Sequence, residues 1–315
     1  MRIRPTTAAD LDRVLGCPVT EPVGLVPADR YRAELARHQY RPEWTWIAED
    51  GGRILARAIW WGFADSACPL TLDCVHAGES VTGRAALAAD LIAAGQHALR
   101  PPGGGIAPRY EITLPPGWRS DPDVVAAFAW RRDAAARAGL TGEPERIRFE
   151  WTPDAGLPRS SGRLAFGPEP DDDVFRDMFR QIAAGSLDVI TRREVAMLGA
   201  DRQAREDMDI YRSMPGEREW WRLAYTAADG RLAGMILPNR NDHGAVVGYL
   251  GVVPGLRGRG YIHDLVAETT RFHAARGEPR ITATTDTTNL PMAAAFERAG
   301  YRACGIRYVL SEPPG

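Results

Sequence analysis

Residues 249–265 read YLGVVPGLRGRGYIHDL: an apolar run reaches Pro254, a loop dense in Gly and Arg follows, and an amphipathic helix begins near Tyr261. Glycine lets a loop backbone take positive φ, so successive N–H groups can converge on one point. The first turn of the next helix adds unpaired N–H groups and the positive end of its dipole. Arg257 and Arg259 add fork-shaped donors suited to phosphate oxygens. The stretch is a candidate pyrophosphate cradle, with a basic surface turn as the plainer alternative. It is not a Walker loop, because no Lys-Ser or Lys-Thr follows the glycines. Nor is it a Rossmann fingerprint, because Gly258-x-Gly260 lacks a further glycine three residues on.

Strands and helices alternate around this stretch. Helices within 171–211 precede EWWRLAYT and RLAGMILP, a hairpin turning at Asp229-Gly230, and AVVGYLGVV is a third strand. A helix over 261–276, a strand ITATT, a helix over 291–298 and a strand IRYVL follow. The first half repeats that order. Helical stretches end near Tyr40, and WTWIAED and RILARAIWW form a hairpin through Asp50-Gly51-Gly52. Then come LTLDCV, a helix over 85–99, YEITL, a helix over 123–138 and RIRFEW. Arg137-Ala138-Gly139-Leu140 echoes Arg298-Ala299-Gly300-Tyr301, and Ile147-Arg148-Phe149 echoes Ile306-Arg307-Tyr308. Duplication is the expectation. Between the halves, WTPDAGLPRSSGR (151–163) gathers Pro, Gly and Ser and loses periodicity, which predicts domains over 1–152 and 163–315.

Length and composition agree with two domains. Chains beyond ~250–300 residues tend to divide, and this one has 315. Hydrophobic residues at 44% and charged residues at 25% are ordinary for a soluble globular protein. No window approaches a membrane span, and the opening MRIRPTTAADLDRVL is too polar for a secretory signal. A net charge of −2 gives no nucleic-acid or membrane footprint. Every basic residue in the Lys+Arg count is Arg, which with the abundant Ala and Gly reads as a GC-rich bacterial coding bias. Four Cys with no Cys-x-x-Cys pair argue against a disulfide scaffold or a structural zinc site, so no metal is expected. A cytoplasmic location is the expectation.

A second constellation, Thr285-Asp286-Thr287-Thr288-Asn289-Leu290-Pro291-Met292, leaves a strand and opens a helix continuing AAAFERAGY. Asn289 is a natural helix cap there, with Pro291 in the first turn. Together VVPGLRGRGY and NLPMAAAFERAGY resemble two signature segments of the GCN5-related N-acetyltransferase (GNAT) family. Val252, Pro254, Arg257, Gly258, Gly260 and Tyr261 match the loop pattern, and Asn289, Phe296, Gly300 and Tyr301 match the helical one. The resemblance covers about 219–310 by motif and the first half by element order alone, so the whole looks like a tandem GNAT protein. It implies an α/β fold of two tandem domains, each a mixed, mostly antiparallel twisted sheet flanked by helices. It also implies binding of acetyl-CoA or another acyl-CoA. Leu250, Val252 and Val253 would lie along the pantetheine arm, and Arg257, Gly258, Arg259, Gly260, Tyr261 and Ile262 on the pyrophosphate. Asn289, Met292 and Phe296 would take the other side of the arm. The implied reaction is direct acyl transfer to an amine.

The chain also departs from the family. Ile262 stands where Gly or Ala is usual, and Phe296 where many members carry a proton-donating Tyr. The position where some members place a base Glu is apolar here, near Val246. An acceptor amine has a pKa of roughly 8 to 10, so some group or water chain must take its proton. The candidates are Asp286, at the C-terminal end of a strand, Asp242, His243, His263 and Tyr249. Tyr249 doubles as a candidate acid. Plainer roles stand beside these: capping for Asp286, a hairpin turn for Asp242 and His243, packing for His263 and Tyr249.

Where the first half should carry its cradle it reads HAGESVTGR, without the Arg-Gly-x-Gly core and with Glu79 in place. A degenerate first domain is expected beside an acyl-CoA-binding second one. The acceptor is expected to be a small-molecule amine, and the chain a monomer whose two domains form an internal pseudo-dimer. The acidic run REDMD (205–209) suits a cationic acceptor or a solvated helix face. A non-catalytic acyl-CoA-binding or sensing module, and acyl transfer to oxygen or sulfur, remain the alternatives.

Overall fold

The computed structural model describes residues 1–18, 20–24, 26–103, 105–142 and 144–313. They divide into two compact units: Met1–Glu145 with Ile306–Gly315, and Arg146–Gly305.

The first unit has strands β1 (Arg2–Pro5), β2 (Thr45–Asp50), β3 (Arg53–Trp61), β4 (Thr71–Ala77) and β5 (Arg109–Leu114). Its helices are α1 (Leu11–Leu15), α2 (Ala28–Ala36), α3 (Arg84–Leu99) and α4 (Pro122–Arg137). The strands pair in sequence order, antiparallel until β5, which joins β4 in parallel. A parallel pair needs a crossover, and α3 supplies it. Beyond β5 the sheet takes its next strand from the far end of the chain, β12 (Arg302–Leu310), with Ile306 opposite Leu114 and Leu310 opposite Tyr110. The core packs Leu87, Leu91 and Ile92 of α3 against Trp60, Leu72 and Val75 of the sheet.

The second unit repeats the plan. Its strands are β6 (Glu145–Trp151), β7 (Leu164–Pro168), β8 (Arg222–Thr226), β9 (Leu232–Asn241), β10 (Gly244–Val252) and β11 (Ile281–Asp286). Its helices are α5 (Asp172–Ala183), α6 (Val189–Leu198), α7 (Ala200–Ser213), α8 (Tyr261–Ala274) and α9 (Leu290–Arg298). Strands β7 to β10 pair antiparallel in order, β11 joins β10 in parallel, and β6 lies antiparallel on β11. Helix α5 forms because Asp171 caps it, accepting from the Asp173 N–H at 2.8 Å, and Asp172 and Asp173 meet its positive end. Phe175, Met178, Phe179 and Ile182 then fall on one buried face. Among the described residues no helix is long and apolar enough to cross a membrane.

Three features differ from expectation. Strands β1 and β7 are additional to those expected, because RIRP and LAFGP are too short for a visible alternation. Strand β8 starts at Arg222, since Arg218–Trp220 forms a single helical turn. The units divide at 145/146 and 305/306, not within 151–163, because β6 pairs with β11 and the end of β12 pairs with β5.

Candidate functional site

Strand β10 is bent where it matters. It pairs with β9 from Gly244↔Asn241 to Val252↔Gly234, but the register slips between Val246 and Tyr249. Gly248 sits in that bulge at φ +70°, and a Cβ there would lie 2.0 Å from the Leu237 carbonyl oxygen, so only glycine fits. A bulge bends and twists its strand. On its other edge β10 pairs with β11 only at Ala245↔Ile281 and Val246↔Thr282. From Gly248 onward the two parallel strands part, leaving the β10 backbone at Tyr249–Val252 without a strand partner on that side among the described residues. The side chains of Leu250, Val252 and Val253 are buried in the core, so what this edge offers a ligand is backbone.

The strand then delivers the loop. After one helical turn (Pro254–Leu256), Gly258 and Gly260 take φ +75° and +77°, and Gly260 leads into α8. Among the described residues, the N–H groups of Gly258, Gly260, Tyr261 and Ile262 make no backbone hydrogen bond. Free donors at a helix start suit an anion. Tyr261 and Ile262 are partly buried against the core and Arg259 is exposed.

Arg257 corrects one expectation. Its guanidinium does not extend as a phosphate donor but folds back to the end of α5. There Nη2 donates to the Ile182 carbonyl at 2.6 Å, Nη1 to those of Ala184 and Gly185 at 2.8 and 2.9 Å, and Nε to that of Val252 at 3.1 Å. A cation at a helix C-terminus is favourable, and this one ties the loop root to α5.

At the C-terminal end of β11, Asp286 is fully buried. Its Oδ2 accepts from the Val189 N–H at the start of α6, and its Oδ1 lies 3.4 Å from Nη1 of Arg146. The second amino group of Arg146 holds Asp188, the cap of α6, at 3.0 Å. Burial, then the charge of Asp188, raises the Asp286 pKa above the ordinary carboxylate range, and Arg146 opposes that rise. Tyr249, half-buried, packs with Phe179 and Tyr211 at ring separations of 4.7 and 5.7 Å. Burial, then the charge of Asp207 on α7, raises its pKa well above the usual phenol value.

The remaining candidates take plainer places. Asn289 caps α9, accepting from the Met292 N–H at 3.4 Å, and Met292 is half-buried on that helix. Phe296 is interior, between Phe149 and Tyr301. Asp242 and His243 form the exposed turn between β9 and β10. His263 lies in the first turn of α8, its pKa lowered by burial. Of the acidic run, Asp207 accepts from the Gln203 amide while Arg205 and Asp209 are exposed.

Sequence reasoning missed Gly248, Arg146, Asp188 and Arg163. For Gly248 a signal existed, a lone glycine inside an apolar strand. For the arginines none did, because in an Arg-only basic set each looks like every other.

The sequence model of the Acetyltransferase (GNAT) family matches residues 193–301. No curated protein matches the chain. Among solved structures, a GCN5-related N-acetyltransferase from Sphaerobacter thermophilus is similar over 100% of this chain and 96% of its own, with a TM-score of 0.59 at 15% identity. A tandem GNAT protein from the clavulanic acid biosynthesis pathway is similar over 100% of this chain and 99% of its own, with a TM-score of 0.52 at 16% identity. These are likenesses of fold, and they extend over both units.

Proposed function

We propose that the unit Arg146–Gly305, whose residues 193–301 match the sequence model of the Acetyltransferase (GNAT) family, carries out that family's acyl-CoA-dependent acyl transfer, to a primary amine of a small molecule. The observation that carries this reading is the set of free N–H groups at Gly258, Gly260, Tyr261 and Ile262, in the loop that follows β10 after it has parted from β11. A diphosphate suits such a cradle, and an extended polar arm suits the unpaired β10 edge. Residues 258–262 would hold the diphosphate through their backbone, and Leu250, Val252 and Val253 the arm. Met292 and Asn289 on α9 would flank it, with Phe296 shaping the helix from inside.

When bound, acyl-CoA supplies the activated thioester; the chain supplies positioning and proton handling. Asp286 is the proposed base: a carboxylate whose pKa is raised by burial is a stronger proton acceptor than an exposed one. Tyr249 holds its Oη proton at neutral pH and is the phenol packed beside the β10 edge, although burial raises its pKa and so makes it a weak acid. Phe296 has no proton to give, so Tyr249 is the proposed replacement for the family's donor. The other unit is proposed to carry no cofactor.

The test is thiol release by the full chain from acetyl-CoA with a panel of primary amines. Turnover with any of them supports the reading. Acetyl-CoA binding without turnover on amines, alcohols or thiols would favour a sensing module, and absence of binding would overturn the reading.

A further inference from the structure

Arg163 ends the stretch expected to be a linker, but its side chain is bound to the cradle. Nη1 donates to the Arg259 carbonyl at 2.9 Å and Nη2 to the Gly260 carbonyl at 3.1 Å. Nη2 also pairs with Asp264 in the first turn of α8, and the guanidinium lies 5.1 Å from the Tyr261 ring centre.

A trans peptide is planar, and its C=O and N–H point in opposite directions. Holding the Arg259 carbonyl therefore fixes the direction of the Gly260 N–H. Holding the Gly260 carbonyl fixes that of the Tyr261 N–H. Both N–H groups face away from Arg163, and both belong to the set that makes no backbone hydrogen bond. The Gly260 carbonyl also accepts the His263 N–H at 3.1 Å, so the start of α8 already holds the 260–261 plane. The 259–260 plane has no such second hold among the described residues, and without Arg163 it could turn, because glycine occupies several backbone basins at similar energy. The charge of Arg163 is already matched by Asp264, so its fork geometry is what it contributes.

We propose that Arg163 is a positioning residue that locks the 259–260 peptide plane with the Gly260 N–H turned toward the diphosphate of the acyl-CoA. This rests on the cradle reading above. It assigns to a residue outside both motifs the selectivity for the diphosphate end of the ligand.

Calorimetry on the full chain tests it, with CoA and pantetheine as ligands and the Arg163→Ala and Arg163→Lys variants beside wild type. Arg163→Ala should weaken CoA about tenfold, the scale of one impaired charge-assisted hydrogen bond, and leave pantetheine unchanged. The salt dependence of CoA binding should match wild type, because no phosphate contact is lost. Arg163→Lys, which keeps the charge and gives a second variant should alanine unfold the chain, should be weakened too, since a single ammonium cannot reproduce the fork. Wild-type CoA affinity in Arg163→Lys, a flattened salt dependence, or equal loss of CoA and pantetheine would each overturn the lock while leaving the cradle intact. Equal affinity of wild type for CoA and pantetheine would overturn the cradle, and the lock with it.

Discussion

In the unit Arg146–Gly305, β10 and β11 part beyond Val246 and Thr282; in the other unit, β4 and β5 part beyond Leu72 and Tyr110. Each gap is followed by a loop and a left-handed glycine, Gly260 before α8 and Gly83 before α3. What fills the gaps differs. Loop residues 79–82 are fewer than 254–259, and nothing corresponds to Arg257-Gly258. Within the first unit's gap, Arg131 of α4 donates from Nε to the Val75 carbonyl of β4 at 3.0 Å and pairs with Glu21 at 2.8 Å. Arg84 and the Trp130 indole hold the same carboxylate. Counted back from Gly139 and Gly300, Arg131 stands where α9 has Met292, and by strand register Leu114 stands where β11 has Asp286. One scaffold thus serves as an open slot or a filled one, depending on a buried cation on one helix and the length of one loop.

The largest effect expected to separate the units is on turnover. Asp286→Asn keeps the acceptor for the Val189 N–H but cannot take a proton, so kcat should fall by ~10²–10⁴ with acyl-CoA affinity little changed. In the wild type, the acid limb of the kcat profile should lie above the ordinary carboxylate range, because burial raises this pKa. A loss below about tenfold would return Asp286 to a purely structural role.

Gly260→Asp should come next, weakening acyl-CoA by about a hundredfold or more through a strained positive φ and a like charge in the cradle. The matching Gly83→Asp should leave acyl-CoA binding untouched, as read by calorimetry. If both variants weaken it equally, the asymmetry between the units is false.

Arg131→Met removes the filling cation and leaves Glu21 buried with fewer partners. Breaking a buried pair costs about 3–5 kcal/mol, visible as an earlier denaturant midpoint. The bound acyl-CoA should remain one per chain, since the short loop still lacks its cradle. Two per chain would show that Arg131 alone keeps the first unit empty.

The smallest difference concerns acid. Burial pushes His76 in the first unit and His273 in the second from 6.5 down to about 4. The unfolded chain binds these protons first, so each contribution is intact above pH 6.5 and is lost as pH falls toward about 4. Each loss is on the order of 1–3 kcal/mol. Denaturation midpoints at pH 7.5 and 4.5, compared with His76→Gln and His273→Gln, should show a shallower pH dependence in each variant.

Local signals made much of this legible. The strand into Pro254, the glycines, and the starts of α8 and α9 lie where the sequence places them, because caps, prolines and apolar periods act over a few residues. The duplicated order was visible for the same reason. What escaped depends on distance along the chain. Nothing near Arg257 announces that its partners are the carbonyls at the end of α5, nor does anything near Arg131 point to Val75 and Glu21. The exchange of final strands was hidden too, because RIRFEW would read the same whichever sheet it joined.

That exchange sets the order in which a ribosome can finish this protein. The first unit gains the strand beside β5 only when 306–310 has been synthesised, after the whole of the other unit. Until then β5 presents an unpaired edge to every other nascent chain nearby. The second unit receives β6 before any of its own helices exist, so its edge is ready when β11 emerges. The unit Arg146–Gly305 can therefore complete its sheet before the other does, and deleting residues 306–310 should harm the unit that contains β5.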